Sequence, residues 1–445
     1  MKIPQITPDW SAIIQQASVA NKSKELFQFG ATESARSGRY LHWDEFRHRV
    51  ASDESLTMEE KWAAVRMSRA MRAQPISLTD DQYRPFTFFL TQSAFEFLHE
   101  IDLDCGGSIG VAADGLMKEE QRDRYYVNSL VEEALTSSQL EGAVVTRSEA
   151  KEMIRQRRSP ATSHELMVMN NYRTMRLLSE LKDEPLSEAL ILRIHREITA
   201  GTMDDPRDEG RFRNASDPVR VEDEETREVI HTPPPAGQLP ARVVALCEFA
   251  NAPDMKGFLH PVIRSIILHF WIAYDHPFID GNGRTARALF YWSMLRHRYW
   301  LAEFFSISHE ILKAPKKYYR AFLHTETDAN DLNYFLLHQL HVIKDSIGSL
   351  KQYIRQKQSE VEAMSRRLGP KSDFNHRQLA LLKHAVTHPF ASYTVMSHQT
   401  SHGVANQTAK SDLAALETRG LLRKRKVGKA FVYEAVSGLA EKLGL

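Results

Sequence analysis

The sequence predicts a mainly helical protein that ends in a small α+β domain. Apolar residues recur at helical spacing from Pro261 to Asp275, and a second helical pattern runs from Arg284 to Arg296. A long polar helix is predicted from Leu332 through Arg366. Near the C-terminal end, a helical pattern from Gln407 to Arg419 precedes two strand-like runs that flank Gly428-Lys429. Because 445 residues exceed one hydrophobic core, we expect about two to four domains.

Composition and helix breakers divide the chain along its length. The N-terminal region is largely helical, contains Leu41 to Glu45 and ends near the glycine-rich residues Cys105 to Ser108, and we attach no chemistry to it. Leu368-Gly369-Pro370 is a breaker that ends the long helix. The predicted parts are an N-terminal helical region at 1–119, a core at 120–345, a helical linker at 346–372 and an α+β tail at 373–445.

The core contains one stretch, from His276 to Arg287, that combines a base, a carboxylate, glycines and arginines. Its glycine loop opens a helix, so backbone N–H groups and the positive end of the helix dipole favour an anion such as pyrophosphate. Arg284 and Arg287 share a helix face and suit phosphate oxygens. Asp280 is a hard ligand suited to Mg²⁺, and His276 has a pKa suited to a general base. The stretch therefore predicts a phosphate-handling site.

Other interpretations of this stretch fit less well. Its G-x-G-x-x-A spacing matches a dinucleotide fingerprint, but that fingerprint follows a strand, and here a helix comes first. The P-loop pattern needs a lysine and then Ser or Thr after the glycines, which this chain lacks. The spacing of His260, His269 and His276 matches no zinc pattern. The remaining alternative is a solvated turn between two core helices.

The same stretch resembles the signature of the Fic family, H-x-F-x-D/E-G-N-G-R-x-x-R, and every specified position is met. The resemblance implies a helical bundle with a small β-hairpin flap. It also implies protein adenylyltransferase activity, in which AMP moves from ATP to a Tyr, Thr or Ser hydroxyl of a target protein. His276 would deprotonate that hydroxyl, and Asp280 would hold the Mg²⁺ ion that bridges the α- and β-phosphates. Phe278 would anchor the loop in the core.

The family resemblance further implies which residues would bind the nucleotide. Gly281, Asn282 and Gly283 would form the anion hole for the α- and β-phosphates. Arg284 would contact the β-phosphate and Arg287 the γ-phosphate. As in phosphoryl transfer generally, most of the catalysis would come from positioning and charge stabilisation.

Upstream, Ser137 to Gly142 matches the family's inhibitory pattern S/T-x-x-x-E-G/N. The resemblance implies that Glu141 pairs with Arg287, takes this arginine from the γ-phosphate and holds the enzyme in an inhibited state. A carboxylate and a guanidinium that pair away from bulk water form a strong, directional contact. Taken alone, Glu141 near the end of a helix that starts at about Tyr126 is a surface carboxylate.

Between these motifs, short strands are predicted from Gly210 to Arg213, at Val219 to Val221 and from Val229 to Pro235, around an acidic turn at 222–228. The family keeps its flap here, where main-chain hydrogen bonds would hold an extended target segment. The alternative is an ordinary surface hairpin. Downstream, Tyr319 resembles a family position that lines the nucleotide pocket, although two adjacent tyrosines on a helix are more often core residues. Where some relatives contact adenine with an asparagine, this chain has Thr325 to Asp328.

The tail resembles winged helix-turn-helix domains, in which a recognition helix enters the major groove of DNA. Basic residues cluster on its helix and hairpin and could meet phosphates, so one hypothesis is DNA binding. A domain of this shape serves equally as a dimerisation or docking module, and both alternatives stay open. The candidate phosphate contacts are Lys410, Arg423, Lys424, Arg425, Lys426 and Lys429.

The bulk properties narrow the function classes. A net charge of +1 with 26% charged residues excludes an acidic disordered tail and a globally basic nucleic-acid binder. Cys105 and Cys247 are far apart and form no C-x-x-C pair, which suits a reducing compartment. Residues 1–10 lack a signal-peptide core, and no apolar run reaches about 18 residues. We therefore expect a cytoplasmic protein with no membrane partner.

The function favoured by the sequence is an ATP- and Mg²⁺-dependent protein adenylyltransferase that modifies a target protein and itself and is inhibited by Glu141. One alternative is removal of AMP at the same site, with Glu141 positioning water. A second alternative is a DNA-binding regulator whose core only senses nucleotides. The expected partners are a target protein that presents a hydroxyl at the flap, DNA through the tail, or a second copy of the chain in a homodimer.

Overall fold

The structure is a computed structural model. Features predicted at Gly107-Ser108, Glu224-Glu225, Gly369-Pro370 and Gly428-Lys429 lie outside the residues that it describes. The described residues are 3–35, 40–51, 55–106, 119–223, 226–252, 257–368, 374–388, 391–427 and 430–443.

Helices dominate the described residues, which confirms the mainly helical fold class. In chain order the helices are α1 Trp10–Val19, α2 Ser23–Ala35, α3 Trp43–Arg49, α4 Met58–Ala70, α5 Gln92–Cys105, α6 Glu119–Gln139, α7 Arg147–Gln156, α8 Ser163–Leu181, α9 Glu188–Thr199, α10 Leu239–Asn251, α11 Pro261–Asp275, α12 Asn282–Arg296, α13 Ile307–Lys313, α14 Pro315–Thr327, α15 Asn333–Leu368, α16 His376–Thr387, α17 Val395–His402, α18 Asn406–Thr418 and α19 Leu439–Lys442.

The strands form small antiparallel sheets. The first two strands pair with each other, as do the next two, and the last three form a sheet in the order β5-β7-β6. The strands are β1 Gln74–Thr79, β2 Pro85–Phe88, β3 Val221–Glu222, β4 Val229–His231, β5 Ser392–Tyr393, β6 Leu422–Val427 and β7 Ala430–Ala435.

The chain forms two compact units, each assembled from three segments. Unit 1 comprises Met1–Leu103, Leu178–His297 and Glu310–Lys344. Unit 2 comprises Asp104–Leu177, Arg298–His309 and Asp345–Leu445. The four predicted parts follow the chain order instead, and they stay a prediction.

The core of unit 1 is built on α11 and α12, which pack against each other. Nearly every side chain of both helices is buried. Phe270 of α11 contacts Phe322 and Phe335, with ring centroids 5.1 and 5.2 Å apart. Large apolar side chains thus fix the two helices that flank the glycine loop.

In unit 2, residues 374–443 form a tail domain of helices α16 to α19 around the β5-β7-β6 sheet. Leucines at 382, 413, 416 and 422 and the ring of Tyr433 belong to its core. Helix α17 also packs against α6 and α7. The N-terminal helices of unit 2 and the tail domain therefore share an interface within this unit.

Most of the sequence-based elements are confirmed. Helix α11 has the predicted bounds, α15 runs within two residues of the predicted 332–366, and α18 is offset by one residue from 407–419. The strands predicted at 421–427 and 430–433 are β6 and β7. No helix within the described part of the chain has the length and apolarity that a membrane span needs.

Several elements differ from the predictions. Gly210 to Arg213 form no strand, because Arg213 donates hydrogen bonds to the loop after α11 and so has no sheet partner. Helix α12 begins at Asn282, two residues before the predicted start. The N-terminal region, which we predicted to be largely helical, also contains the hairpin of β1 and β2.

Other predicted bounds shift as well. The helix predicted from about Tyr126 begins at Glu119. The strands predicted at 219–221 and 229–235 are the shorter β3 and β4, and β4 ends at His231 because the prolines at 233–235 have no N–H to donate to a sheet.

Candidate active site

The stretch from His276 to Arg287 lies in unit 1, at the turn between α11 and α12. His276 caps α11 in the left-handed conformation, with φ 45°, and its backbone N–H donates to the carbonyl of Ile272 at 3.0 Å. A non-glycine residue with this backbone conformation is uncommon, and such residues cluster at functional sites. The chain thereby turns sharply at the candidate base.

Asn282 closes the turn through its side chain. Its Oδ1 accepts from the backbone N–H of Phe278 at 2.9 Å, and its Nδ2 donates to the carbonyl of Phe278 at 2.8 Å. Gly281 has a φ of 82°, and a Cβ here would lie 2.8 Å from Cγ2 of Thr199. Position 282 needs an amide, because its side chain must both accept and donate. Position 281 needs glycine, because a Cβ there would meet Thr199 and the backbone has a positive φ.

Phe278 fixes the loop to the core. It is fully buried, and its ring stacks on His195 of α9 with centroids 3.7 Å apart. His195 Nδ1 accepts from the N–H of Gly210 at 3.0 Å, so its Nε2 carries the proton and donates to the carbonyl of Asp280 at 2.9 Å. Burial lowers the pKa of His195 to about 4, which keeps this arrangement neutral.

The ring of His276 is held in one tautomer. Its Nδ1 lies 3.2 Å from the carbonyl oxygen of Ala273 and must donate to it, which leaves the lone pair on Nε2. Desolvation, and next the charge of His231, lower the pKa of His276 to about 4. The ring is therefore neutral near pH 7 and can accept a proton at Nε2.

Buried charged residues hold the backbone on either side of His276. Arg213 donates from Nε to the carbonyl of His276 at 2.8 Å and from a terminal nitrogen to the carbonyl of Pro234 at 2.6 Å. Asp275, the preceding residue, pairs with Arg242 at 2.6 Å and accepts from the indole of Trp271 at 3.0 Å. These contacts set the direction in which the chain leaves α11.

The β3–β4 hairpin, where the sequence predicts a flap, is tied to the same turn by His231. Its Nε2 lies 2.7 Å from the carbonyl oxygen of Tyr274, and its Nδ1 lies 2.9 Å from Glu326 of α14. Although desolvation opposes the charged ring, Glu326 raises the pKa of His231. Its positive charge then lowers the proton affinity of His276.

Asp280 and Arg284 form an ion pair at the start of α12. Arg284 is buried, and its terminal nitrogen lies 3.0 Å from a carboxylate oxygen of Asp280, which is 56% exposed. The Nε of Arg284 is buried without a hydrogen-bond partner among the described residues. No side chain in the described part of the chain caps the N-terminus of α12. A buried cation beside an uncapped helix N-terminus favours an anion.

The residues fit Mg²⁺ only as an ion that binds together with phosphates. Within the described residues, no group of three or more His, Cys, Asp or Glu side chains could hold a metal ion. Asp280 offers one exposed carboxylate, which is the usual protein contribution where phosphates and water complete the shell.

The remaining predicted residues lie around or apart from this turn. Arg287 is buried in α12, and Tyr319 is half-buried in α14, where its ring is 5.4 Å from that of Tyr318. Glu141 belongs to unit 2, in the turn after α6. Its pairing with Arg287 stays a prediction, as do the nucleotide contacts and DNA binding by the tail.

Sequence reasoning missed the residues that position the loop, namely His195, Arg213 and Arg242. They lie 34 to 81 residues before His276, and no local pattern marks them. Asp275 could have been noticed, because a carboxylate in an otherwise apolar helix needs a buried partner. The other three residues can be recognised only from their contacts in the folded structure.

Residues 185–294 match the sequence profile of the Fic/DOC family. This segment encloses α9 to α11 and nearly all of α12, and so contains His195 and the whole stretch from His276 to Arg287. Glu141, Tyr319 and the tail domain lie outside it.

Curated relatives match over about a quarter of the chain. "Protein adenylyltransferase Fic" of Nematostella vectensis is 33% identical over 108 residues, which are 24% of this chain and 22% of that protein. The protein of the same name from Drosophila grimshawi is 32% identical over 109 residues, or 24% and 20% of the two chains. The chain thus spans about a fifth of the length of these relatives. A crystal structure of a Fic family protein from Desulfovibrio desulfuricans G20 aligns with 78% of this chain and 97% of its own, at 18% identity and a TM-score of 0.48.

Proposed function

We propose that this chain, in which residues 185–294 form a Fic domain, is a protein adenylyltransferase that moves AMP from ATP to a Tyr, Thr or Ser hydroxyl. The observation that carries this proposal is the neutral His276, whose Nε2 lone pair lies on the turn that leads into the uncapped N-terminus of α12. A base and an anion site five to six residues apart suit transfer of a phosphate-bearing group to a hydroxyl.

The transfer is a single displacement at the α-phosphorus. The hydroxyl oxygen of the target attacks this phosphorus, and the bond to the oxygen that bridges toward the β-phosphate breaks. Pyrophosphate leaves with the electron pair of the broken bond, while the hydroxyl proton moves to Nε2 of His276. Mg²⁺, bound by the phosphates and Asp280, would supply charge neutralisation when ATP is present.

The remaining residues bind and orient the nucleotide. Backbone N–H groups of Gly281, Asn282 and Gly283 face the α- and β-phosphates in this proposal, and Arg284 holds the β-phosphate. The side chain of Asn282 is already engaged with Phe278, so only its backbone N–H is available for an anion. Arg287 holds the γ-phosphate. Preorganised donors of this kind stabilise developing charge without reorganisation.

Glu141 acts as the inhibitor in this proposal by drawing Arg287 away from the γ-phosphate. The support is the S/T-x-x-x-E-G pattern, which begins in the last turn of α6 and places Glu141 in the turn that follows. Glu141→Gly removes the carboxylate and should raise labelling by ATP with label on the α-phosphate. Val144→Gly, at an 82% exposed position of the same turn, is the matched control for added flexibility and should leave labelling at the parent level.

The chemistry is tested in the Glu141→Gly background with ATP labelled on the α- or the γ-phosphate. We expect the α-label on protein and the γ-label in free pyrophosphate, and His276→Ala should abolish incorporation while circular dichroism stays unchanged. Transfer of the γ-label to protein, or full activity of His276→Ala, would overturn the proposal. Release of AMP from protein labelled beforehand would instead favour the reverse reaction.

A further inference from the structure

A cavity of about 300 Å³ lies within unit 2, between the tail domain and the helices α6 and α7. Its size is at the lower end of the range for small-molecule sites, which runs from about 300 to 1,000 Å³. On one side it is lined by Val127, Asn128 and Val131 of α6 and by residues of α7, and on the other by α16, α17 and Tyr393. Nothing in the proposed transfer reaction uses this cavity.

The lining carries positive charge and no negative charge. Lys151 and Arg155 from α7 and Lys357 from α15 all line the cavity, and none of its described lining residues is Asp or Glu. Desolvation lowers the pKa of Lys151, and the neighbouring charges of Arg147, Lys357 and Arg155 lower it further, although Glu132 opposes them. Three cations that face one space repel one another, and an anion between them would relieve that repulsion.

Two described carboxylates that contact or neighbour lining residues have partners of their own. Glu132 of α6 accepts from Arg147 at 2.5 Å and lies 3.0 Å from Nδ1 of His309. In the tail domain, Asp412 binds Arg377 at 2.6 Å and His398 at 3.1 Å. Desolvation opposes ionisation of Asp412, but these hydrogen bonds hold its pKa well below the usual range. Neither carboxylate lines the cavity.

Buried polar atoms on two opposite walls of the cavity have no hydrogen-bond partner among the described residues. They include Nε of Arg155 and Oγ of Ser401, which come from opposite walls, α7 and α17. Buried polar groups are nearly always hydrogen-bonded, and an exception needs an explanation such as a ligand or water. A bound anion would accept from both groups.

Part of the remaining wall is aromatic or apolar, and the rest consists of Asn128, His384, His398 and His402. Tyr353, Tyr393, Ala380 and Leu381 line the cavity beside the cations. The Tyr393 hydroxyl lies 2.7 Å from Nδ1 of His384, which fixes its ring on this side. A wall of this kind suits an organic group attached to the anion, whereas a free inorganic ion would use only the cations.

We propose that this cavity binds a small phosphorylated organic molecule of about nucleoside monophosphate size. The phosphate accepts hydrogen bonds from the three cations and Ser401, and the organic part lies against the tyrosines and the apolar wall. The ligand thereby joins α7 to α17, so its binding stabilises the packing of the tail domain on α6 and α7.

Regulation of the active site follows if the proposed function holds. Helices α6 and α7 flank Glu141, and the turn between them is held by the bond from Gln139 Nε2 to the carbonyl of Val145 at 2.9 Å. A ligand that stabilises both helices also stabilises the turn that carries the inhibitory carboxylate. We therefore infer that the bound ligand strengthens inhibition by Glu141.

Isothermal titration of the full chain with AMP, GMP, CMP, UMP and inorganic phosphate tests the site directly. The variant Lys151→Gln/Arg155→Gln/Lys357→Gln removes the cations of the cavity. Its matched control, Arg355→Gln/Lys410→Gln/Lys426→Gln, removes three exposed cations of the same unit outside the cavity. Because both variants keep the Fic domain intact, nucleotide bound there contributes equally to every titration.

We expect at least one nucleoside monophosphate to bind parent and control more tightly than inorganic phosphate does, and the cavity variant at least about tenfold more weakly. Equal affinity of cavity variant and control for all probes overturns the site, and equal affinity of phosphate and nucleotides shows an inorganic anion site instead.

The bound nucleotide should also slow α-label incorporation by the parent several-fold and leave the rate of the Glu141→Gly variant unchanged. An equal effect on both proteins contradicts the regulatory step, whereas failure of Glu141→Gly to label at all contradicts the transferase proposal and leaves the titration result standing.

Discussion

Neighbouring residues set both the tautomer and the pKa of the candidate base, His276. The hydrogen bond to Ala273 sets the tautomer of His276, and desolvation with the charge of His231 sets its pKa at about 4. The charge on His231 is supported in turn by Glu326. His276 is thus unprotonated at any pH well above 4, but it binds a proton less tightly than an ordinary histidine does.

The pH dependence of transfer should reflect this low pKa. In the free enzyme, a histidine with a pKa of about 4 stays in the base form as pH falls from 7 to 5. We therefore expect kcat/KM of the Glu141→Gly variant to fall less than about twofold over this range, whereas an ordinary pKa near 6.5 gives a fall of about 25-fold. Rates of α-label incorporation at subsaturating ATP measure this, with circular dichroism as the control for folding. A midpoint near pH 6.5 would show that the ring is not desolvated as described.

The side chains at the turn between α11 and α12 could be predicted from the sequence, but the residues that orient this turn could not. His276, Asp280 and Arg284 fall within one short motif, so their spacing alone brings them to one turn. His195 and Arg213 bind that turn from other segments, and their contacts depend on how α9 and the segment after it pack. Such partners meet only in the folded protein, and no periodic pattern in the sequence links them to the turn.

At the scale of elements, the turn between α11 and α12 depends on Gly281. Ala at this position meets two penalties, a positive φ of 82° and a Cβ 2.8 Å from Cγ2 of Thr199. Ala at Gly420, with φ 66° and open space around its Cβ, meets only the first. Comparing Ala substitutions at these two glycines therefore separates the effect of backbone strain from that of steric contact.

We expect Gly420→Ala to lower the free energy of unfolding by about 1–2 kcal/mol and Gly281→Ala to lower it by more. Because the contact at Gly281 shifts the loop, Gly281→Ala should also reduce α-label incorporation in the Glu141→Gly background by about 100-fold, whereas Gly420→Ala leaves it unchanged. Urea unfolding and initial rates provide the two readouts. Equal effects of the two substitutions would argue against the close approach at Gly281.

Helix α4 is joined to the segment between α14 and α15 by a buried ion pair. Arg66 lies 2.9 Å from Asp328 and 2.7 Å from Asp331, and all three side chains are at most 6% exposed. Arg66→Met removes the cation beside Asp331 and leaves Asp328 only the more distant Arg69 at 3.9 Å, so we expect a loss of about 3–5 kcal/mol in the free energy of unfolding. Arg207→Met breaks an ion pair in which the arginine is 89% exposed, and should cost less than about 1 kcal/mol. If urea unfolding shows similar losses in the free energy of unfolding for the two variants, the buried ion pairs of Arg66 stabilise the fold no more than an exposed pair does.

Elements with long periodic patterns could be predicted, and short ones could not. Helices α11, α15 and α18 carry enough apolar repeats to define their bounds within two residues. The strand predicted at Gly210 to Arg213 is wrong, since β-favouring residue types here serve the contacts of Phe212 with Phe278 and of Arg213 with the loop. The β1–β2 hairpin was missed because Pro75 and Pro85 suggest breaks in its strands.

At the scale of the whole molecule, titratable groups are unevenly distributed. Among the described residues, unit 1 contains six histidines whose pKa is lowered, mainly through desolvation: His42, His195, His269, His276, His324 and His338. His231, also in unit 1, has a raised pKa and offsets one of them. The two units should therefore respond differently to acid.

Acidification should unfold unit 1 first. An unfolded histidine binds a proton near pH 6.5, whereas these folded histidines resist protonation to a clearly lower pH, so their stability contribution is present above pH 6.5 and is lost as pH falls. Each contributes a slope of at most about 1.4 kcal/mol per pH unit in this window. Five of the six tryptophans lie in unit 1, so once the accumulated loss exceeds the stability of this unit, below about pH 5, their fluorescence should change before the helical circular dichroism is fully lost. Coincident transitions would show that the two units unfold together.

In the proposed function, the turn from His276 to Arg287 transfers AMP and Glu141 inhibits this transfer. The intact mass of the Glu141→Gly protein after incubation with ATP and Mg²⁺ tests this most directly, because an adenylyl and a phosphoryl adduct differ in mass. We predict addition of adenylyl groups to the Glu141→Gly protein and none to its His276→Ala derivative, with the parent largely unmodified. A phosphoryl adduct, or an unmodified Glu141→Gly protein, would contradict the claim.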